Sequence, residues 1–164
     1  MRHARSSWED PILADHKRPL VPGGREAARR VAVHLNQARI HPDVVLCSSA
    51  TRALQTYDAI APVLDDSCSV FVEDALYAAS STDLLFRLRD LPEWAETVLL
   101  IGHNPGLQAL AVALVGDRSS SARLNERFPT GALATLTADT PWVVLGPGRA
   151  QLRSLIVPSE LGRL

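Results

Sequence analysis

The sequence predicts an α/β fold: a single three-layer α/β/α domain, residues 1–164, with a central, mostly parallel sheet. Two short apolar runs, at residues 44–47 and 97–101, each lead into a polar cluster and then into a helical pattern. Strands that alternate with helices form parallel sheets, and ligands bind such sheets at the carboxyl edge of the strands. The 164 residues, 46% of them hydrophobic, suffice for one sizeable core.

The charge balance excludes two classes of partner. The 17 basic and 18 acidic residues give a formal net charge of −1, so we expect neither a nucleic-acid nor a membrane partner, and any anion site must be local. Cys47 and Cys68 are too few for a disulfide framework and suit a reducing compartment. No run approaches the roughly 20 apolar residues of a membrane span, and no secretory signal opens the sequence, so we expect a cytoplasmic protein.

The first elements follow from periodicity. Residues 8–22 are rich in proline and charge and should form an extended loop. Residues 25–35 place apolar side chains at helical spacing, which predicts a helix packed on the sheet. A strand at residues 44–47 comes next.

The helix after this strand carries an informative arginine. Ser48 or Ser49 is the candidate cap of a helix over residues 50–64, which places Arg52 in its first turn. The N–H groups of a first turn are unpaired and the helix dipole is positive there, so an arginine disfavours the helix, while both features favour an anion. A cation at this position is understandable if phosphate binds beside it.

The middle of the chain repeats the alternation. We expect a short strand at residues 69–72, a loop over residues 73–79 and a helix over residues 81–91, whose capping signal lies at residues 80–83. The β-branched and apolar run at residues 97–101 is the strongest strand signal, so this strand should be central and buried on both faces.

The last third predicts one helix and several strands. Asn104 before Pro105 matches a cap followed by proline at the first position of a helix over residues 107–115. The serine-rich residues 118–121 should form a loop. Two or three further strands, antiparallel, are expected within residues 132–137, 142–145 and 151–157.

The first six residues contain a combination suited to phosphate chemistry. Arg2, His3, Arg5 and Ser6 supply two guanidiniums, an imidazole and a hydroxyl. A guanidinium fork matches two oxygens of a phosphoryl group, and a neutral imidazole nitrogen can attack phosphorus. The dipeptide Arg2-His3 alone is weak evidence, but the polar clusters after the two apolar runs are its expected partners at one sheet edge.

Five segments, in order along the chain, resemble a known family. They are Arg2-His3-Ala4-Arg5-Ser6, Arg18-Pro19-Leu20, Cys47-Ser48-Ser49-Ala50-Thr51-Arg52-Ala53-Leu54-Gln55-Thr56, Gly102-His103-Asn104-Pro105-Gly106 and Phe128-Pro129-Thr130-Gly131. Together they resemble the histidine phosphatase superfamily, which has a phosphoglycerate-mutase-like fold, and most closely its SixA-like phosphohistidine phosphatases.

The resemblance implies roles for four residues. His3 would be the nucleophile, Arg2 and Arg52 would bind the phosphoryl oxygens, and His103 would donate a hydrogen bond to them. Attack by His3 would give a phosphohistidine enzyme intermediate, which water hydrolyses. No cofactor and no metal would be required. The further candidate substrate-binding residues are Arg5, Ser6, Arg18 and Asn104.

The sequence departs from the family pattern at its start. Family members usually carry a strand of several apolar residues before Arg-His, whereas Arg2 here follows Met1. A missing central strand would leave the backbone groups of its neighbours unpaired, so we expect a start assigned too late or unlisted preceding residues.

A second departure concerns the general acid. Branches of the superfamily that cleave ordinary phosphate esters place a glutamate shortly after a leucine, where this chain has Leu76-Tyr77-Ala78. An alkoxide leaving group normally needs a proton, whereas the nitrogen of a phosphoimidazole leaves more easily. The absent glutamate therefore favours a nitrogen–phosphorus substrate, with Glu73 and Asp74 as alternative acids nearby.

Three functions follow from these observations. The first is dephosphorylation of phosphohistidine on a protein, such as one of the histidine-phosphotransfer type. The second is hydrolysis of small phosphate esters or sugar phosphates by the same chemistry. The third is a phosphate-binding module without turnover.

Overall fold

The computed structural model describes residues 1–162, and this part of the chain forms five α-helices and five strands. None of these helices is long and apolar enough to cross a membrane. In chain order the elements are α1 (Pro22–Gln37), β1 (Val44–Ser48), α2 (Thr51–Ile60), β2 (Ser69–Glu73), α3 (Ser81–Arg89), β3 (Val98–Ile101), α4 (Gly106–Leu114), α5 (Arg118–Glu126), β4 (Leu133–Ala138) and β5 (Ala150–Ile156).

The central sheet is parallel, with strand order β2-β1-β3. Val44 of β1 is in register with Ser69 of β2 on one side and with Val98 of β3 on the other. β4 and β5 pair antiparallel, as expected for the last strands. The predicted α/β class with a central parallel sheet is confirmed.

Alternate residues of β1 serve two different helical layers. Val45 and Cys47 join the cluster that holds Val31 of α1 and Ile60 of α2. Val44 and Leu46 face the other way, into the cluster formed by leucines of α3 and α4. All five residues of β1 are buried, because helices cover both faces of the sheet.

The N-terminal segment lies beside β3. Arg2 forms a parallel bridge with Gly102, and the His3 N–H donates to the Gly102 carbonyl at 3.0 Å. On its other side the Arg2 N–H donates to the carbonyl of Ala132 at 3.0 Å. β1 is one strand further away, on the other side of β3. β3 has the predicted burial, but β1 is the middle strand of the three.

Two other expectations about elements are wrong. The serine-rich residues 118–121 begin α5, because the side chain of Asp117 accepts a hydrogen bond from the Ser120 N–H and caps the helix. Residues 142–145 do not form a strand, since Trp142–Val144 is a 3-10 turn whose indole N–H donates to the carbonyl of Ala95.

The predicted helix caps have a mixed outcome. Ser80 and Asp83 form the expected capping box at α3. The N-cap of α2 is Ala50, and the N-cap of α4 is Pro105, neither with a side-chain cap. The serines and the asparagine that were expected to cap these helices bond to other side chains, described below.

An apolar cavity of about 1030 Å³ lies between β3 and β4. Leu99 and Leu100 line one side and Ala134 and Leu136 the other. His3, Arg52 and His103 are not among its lining residues.

Whether a strand precedes Arg2 concerns residues outside the printed sequence, so that expectation stays a prediction.

The start of α1 packs closely on the N-terminal segment. A Cβ atom on Gly24 would overlap the backbone carbonyl of Arg5, whereas a Cβ on Gly23 would meet nothing within 4 Å. The Arg5 carbonyl also accepts a hydrogen bond from the Val21 N–H at 3.0 Å. Glycine at position 24 therefore lets α1 hold the backbone that follows His3.

We predict opposite effects for the two adjacent glycines. Gly24→Ala should lower the free energy of unfolding by about 1–3 kcal/mol, the usual cost of overpacking. Gly23→Ala should leave it unchanged or raise it by up to about 1 kcal/mol, because alanine is the better helix former. Urea denaturation of both variants measures the difference. Equal effects would contradict the close approach at Gly24.

Candidate active site

His3 is held by its backbone and by both ring nitrogens. Its carbonyl accepts from the Gly131 N–H at 2.9 Å, and Gly131 has φ of 79°, a left-handed conformation that glycine adopts readily. The ring Nδ1 is 2.8 Å from the Ala4 carbonyl, and a carbonyl can only accept, so Nδ1 carries the proton. The lone pair of Nε2 then accepts from Arg52 Nε at 3.2 Å.

Arg52 lies in the first turn of α2, as predicted, and is buried. Its Nη1 donates to the Asp15 carbonyl at 2.6 Å and its Nη2 to Asp15 Oδ2 at 2.9 Å. The same Nη2 lies 3.4 Å from His103 Nδ1. Thr56, one turn later, ties α2 to the N-terminal segment by accepting from the Ala4 N–H at 3.0 Å. The Nε–Nη2 edge of the guanidinium thus faces both histidines.

His103 follows β3 and faces His3. The two ring centroids are 5.0 Å apart, which is compatible with contact to one phosphoryl group. His103 Nδ1 accepts from Arg52, so the ring proton is on Nε2, which donates to Ser48 Oγ at 2.7 Å. Ser48 ends β1, so adjacent parallel strands supply this pair.

Burial keeps both rings neutral. It lowers the pKa of His3 to about 4 and that of His103 to about 3. Positive charge on Arg52 and Arg2 lowers the His3 pKa further, against the raising effect of its hydrogen bond to Ala4. At neutral pH His3 therefore presents an unprotonated Nε2.

Asp15 supplies the negative charge of the cluster. It lies in the 3-10 turn Asp15–Lys17, and its carboxylate accepts from Arg18 Nη1 at 2.7 Å, Arg52 Nη2 at 2.9 Å and the Tyr77 hydroxyl at 2.7 Å. The hydrogen bond from Tyr77, followed by those from the two arginines, holds the pKa of this carboxyl well below its usual range although burial raises it. One carboxylate thus fixes two guanidiniums.

Comparisons with known proteins show the family of the chain. A model of the histidine phosphatase superfamily (branch 1) matches residues 1–78. An uncharacterized protein of Mycobacterium tuberculosis (strain ATCC 25618 / H37Rv) is 36% identical over 162 residues, 96% of this chain and 99% of that protein. The chain belongs to the histidine phosphatase superfamily.

Solved structures of the superfamily superpose over nearly the whole chain. A proposed phosphohistidine phosphatase SixA from Nakamurella multipartitia gives a TM-score of 0.85 at 32% identity, covering 96% of this chain and 93% of that one. The protein histidine phosphatase SixA complexed with tungstate gives 0.82 at 25% identity, with 99% and 97% covered. The predicted resemblance and the phosphoglycerate-mutase-like fold are confirmed.

The other predicted site residues lie at varying distances from this cluster. Arg2 Nη1 and Asn104 Nδ2 both donate to the Phe128 carbonyl, at 3.0 and 3.2 Å. Asn104 also donates to Gln108 Oε1 at 3.0 Å, rather than capping α4. Arg2 Nε and Asn104 Oδ1 are buried without a hydrogen-bond partner within residues 1–162. The two side chains thus converge on the carbonyl of Phe128.

The other three predicted substrate-binding residues are Arg18, Ser6 and Arg5. All three guanidinium nitrogens of Arg18 are engaged, by the Ser7 carbonyl at 2.8 Å, Ser6 Oγ at 2.9 Å and Asp15. Arg18 therefore organises the loop and Asp15. The side chain of Arg5 is exposed, and the structure does not bring it into the cluster.

Sequence reasoning missed several members of the site. Tyr77 was noted only for replacing a glutamate, yet its ring centroid lies 5.4 Å from that of His103. His16, within the predicted loop at residues 8–22, hydrogen-bonds with Ser49 Oγ at 2.9 Å and lies edge-on to Tyr77 at 4.9 Å. Only one feature of the sequence could have pointed to Asp15 as a site residue, its spacing of three residues from Arg18.

The proposed alternative acid Glu73 is already paired. Both carboxylate oxygens accept from Arg87 Nε at 2.9 Å, and Oε1 also accepts from Nη2 at 2.7 Å. A carboxylate held by this fork is a poor proton donor.

Among the residues described, no group of three or more His, Cys, Asp or Glu side chains could hold a metal ion.

We predict that stability falls in mild acid. A histidine with a lowered folded pKa contributes fully above its unfolded value of about 6.5, and the contribution is lost as pH falls toward the folded value. For His3, with a folded pKa of about 4, the loss is at most about 3 kcal/mol. Urea denaturation between pH 7 and pH 4 measures it.

His103→Gln removes one of these titrating groups, so the pH dependence should become shallower. Asn36→Gln, at an exposed position, removes no titrating group, so it is the control and should leave the slope unchanged. Equal slopes in wild type and His103→Gln would contradict a buried, neutral His103.

Proposed function

We propose that this protein is a phosphatase that transfers the phosphoryl group of its substrate to His3 Nε2, and that the substrate is phosphohistidine on a protein. Membership of the histidine phosphatase superfamily supports phosphatase activity. The likeness to SixA proteins supports phosphohistidine as substrate. The observation that carries the mechanism is the tautomer of His3, whose Nδ1–H is bound by Ala4 and whose Nε2 faces Arg52.

The first step is attack of the Nε2 lone pair on phosphorus. A bond forms between Nε2 and phosphorus while the bond to the leaving nitrogen breaks, and the electron pair leaves with that nitrogen. The hydrogen bond from Nδ1 to the Ala4 carbonyl at 2.8 Å fixes the ring plane for this attack. In the second step water attacks the phosphohistidine and releases phosphate.

Arg52 and His103 stabilise charge on the transferred group. A phosphoryl group on the Nε–Nη2 edge of Arg52 would receive a bidentate pair of hydrogen bonds beside His3. His103 would donate to it from Nδ1 when its proton is on that nitrogen. Ser48 permits this tautomer, because its hydroxyl at 2.7 Å can also donate to His103 Nε2. Arg2, whose charge reaches His3, adds a further cation.

The leaving group decides between substrates. The glutamate of ester-cleaving branches is absent at Leu76-Tyr77-Ala78, and Glu73 is held by Arg87. A phosphoimidazole, whose nitrogen leaves more readily than an alkoxide, suits this site better than a sugar phosphate does. No cofactor is needed in this mechanism. The cytoplasmic location stays a prediction.

We predict that His3→Ala abolishes turnover. Arg52→Ala and His103→Ala should each lower kcat by about 10²–10³-fold, as loss of a preorganised donor does. Arg5→Ala, at an exposed position, is the control and should stay close to wild type. Alkaline quench in detergent of wild type mixed with a radiolabelled phosphohistidine protein should trap phosphate on His3, because a phosphohistidine is stable in base and hydrolyses in acid. Near-normal turnover by His3→Ala would refute covalent catalysis.

Substrate preference is tested with three substrates at equal enzyme concentration: a histidine-phosphotransfer domain phosphorylated by phosphoramidate, an aryl phosphate and a sugar phosphate. We expect kcat/KM to be highest for the phosphorylated domain. A higher kcat/KM for the sugar phosphate would favour hydrolysis of small phosphate esters as the function. Binding of phosphate without any turnover would favour a phosphate-binding module.

A further inference from the structure

The site contains a hydroxyl group that the mechanism above leaves without a role. Tyr77 follows the 3-10 turn Asp74–Leu76, and its hydroxyl donates to Asp15 Oδ2 at 2.7 Å. Its ring is fixed edge-on by His103 at 5.4 Å and by His16 at 4.9 Å. Of these two rings, His103 belongs to the catalytic cluster and His16 borders it.

Asp15 Oδ2 marks where an anionic oxygen can bind. That oxygen accepts from the Tyr77 hydroxyl at 2.7 Å and from Arg52 Nη2 at 2.9 Å. Arg52 Nη2 belongs to the guanidinium edge that contacts both histidines. A substrate held on that edge therefore lies within reach of a hydroxyl that now points at Asp15.

We propose that Tyr77 donates its hydroxyl proton to the leaving atom of the substrate. This inference rests on the proposed phosphatase function. When His3 Nε2 bonds to phosphorus, the bond from phosphorus to the leaving atom breaks, and the leaving atom takes the electron pair and the Tyr77 proton. The resulting tyrosinate regains a proton from the water that hydrolyses the phosphohistidine, through solvent.

The charges around Tyr77 suit a donor for basic leaving groups. The hydrogen bond to Asp15 raises the pKa of Tyr77, so the phenol stays protonated at neutral pH, as an acid must. The tyrosinate formed in the reaction is compensated by Arg52, whose guanidinium carbon lies 5.9 Å from the Tyr77 ring centroid. The phenol is a weak acid, so its proton helps most where the leaving atom would otherwise become a strong base, as the imidazolate nitrogen of a phosphohistidine does.

Glu73 is the competing donor, and the structure argues against it. Arg87 holds both of its oxygens, whereas the Tyr77 hydroxyl has a single partner in Asp15 among the hydrogen bonds of residues 1–162. Rotation about one side-chain bond frees the hydroxyl. Releasing Glu73 requires breaking a bidentate ion pair.

Tyr77→Phe tests the proposal, because it keeps the ring and removes only the hydroxyl. The matched control is Tyr57→Phe, at the other tyrosine of the chain, in α2. The measurement is kcat/KM for free phosphohistidine, phenyl phosphate and nitrophenyl phosphates. For Tyr77→Phe we expect a loss of about 10²-fold on phosphohistidine, within the range for general acids, and only about threefold on nitrophenyl phosphates. Tyr57→Phe should match wild type throughout.

A uniform loss on all leaving groups would overturn the proposal, because it would mean that Tyr77 only positions Asp15. Equal rates for Tyr77→Phe and wild type would also overturn it. Failure of the proposed function gives a different result: wild type itself would trap no phosphate on His3 after alkaline quench. Glu73→Gln separates the competing donor, since a selective loss on basic leaving groups in that variant alone would assign the proton to Glu73.

Discussion

The site depends on a buried cation. Arg52 lies in the first turn of α2, where the helix dipole is already positive, and its guanidinium is shielded from water. Burying an uncompensated charge costs several kcal/mol, so this position is tolerable only with an anion beside it. Asp15 provides that anion through its carbonyl and its carboxylate, at 2.6 and 2.9 Å. The loop before α1 is thereby drawn onto the carboxyl edge of the sheet.

The same constraint fixes the state of the histidines. Arg52 can only donate, so the nitrogens that face it, His3 Nε2 and His103 Nδ1, must be unprotonated. The other two ring nitrogens, His3 Nδ1 and His103 Nε2, carry the protons. They donate hydrogen bonds to the Ala4 carbonyl and to Ser48 Oγ. In the proposed mechanism the nucleophile His3 is thus oriented without a carboxylate behind it, unlike a triad in which an acidic residue orients the base. The backbone carbonyl of Ala4 orients the ring instead.

The sequence predicted the parts of the site that lie in regular elements. The runs at residues 44–47 and 97–101 located β1 and β3, and the position of Arg52 in a first turn followed from helix periodicity. Asp15 and Tyr77 could not be found in this way, because Asp15 lies in one 3-10 turn, Tyr77 follows another, and the two meet across 62 residues. Local periodicity carries no information about such contacts. α5 was missed for a related reason, since serine favours loops until a cap such as Asp117 fixes the helix.

In the proposed mechanism, Asp15 links recognition of phosphate to protonation of the leaving group. Its carboxylate neutralises part of the charge on Arg52 and Arg18, which weakens the pull on an incoming anion, and its hydrogen bond keeps Tyr77 protonated. A phosphoryl group that takes over Arg52 Nη2 removes one of the three donors from the Asp15 carboxylate. The Tyr77 hydroxyl, held by the same carboxylate oxygen, then lies beside the displaced contact. Substrate binding and proton donation would thus be coupled through one oxygen atom, Asp15 Oδ2.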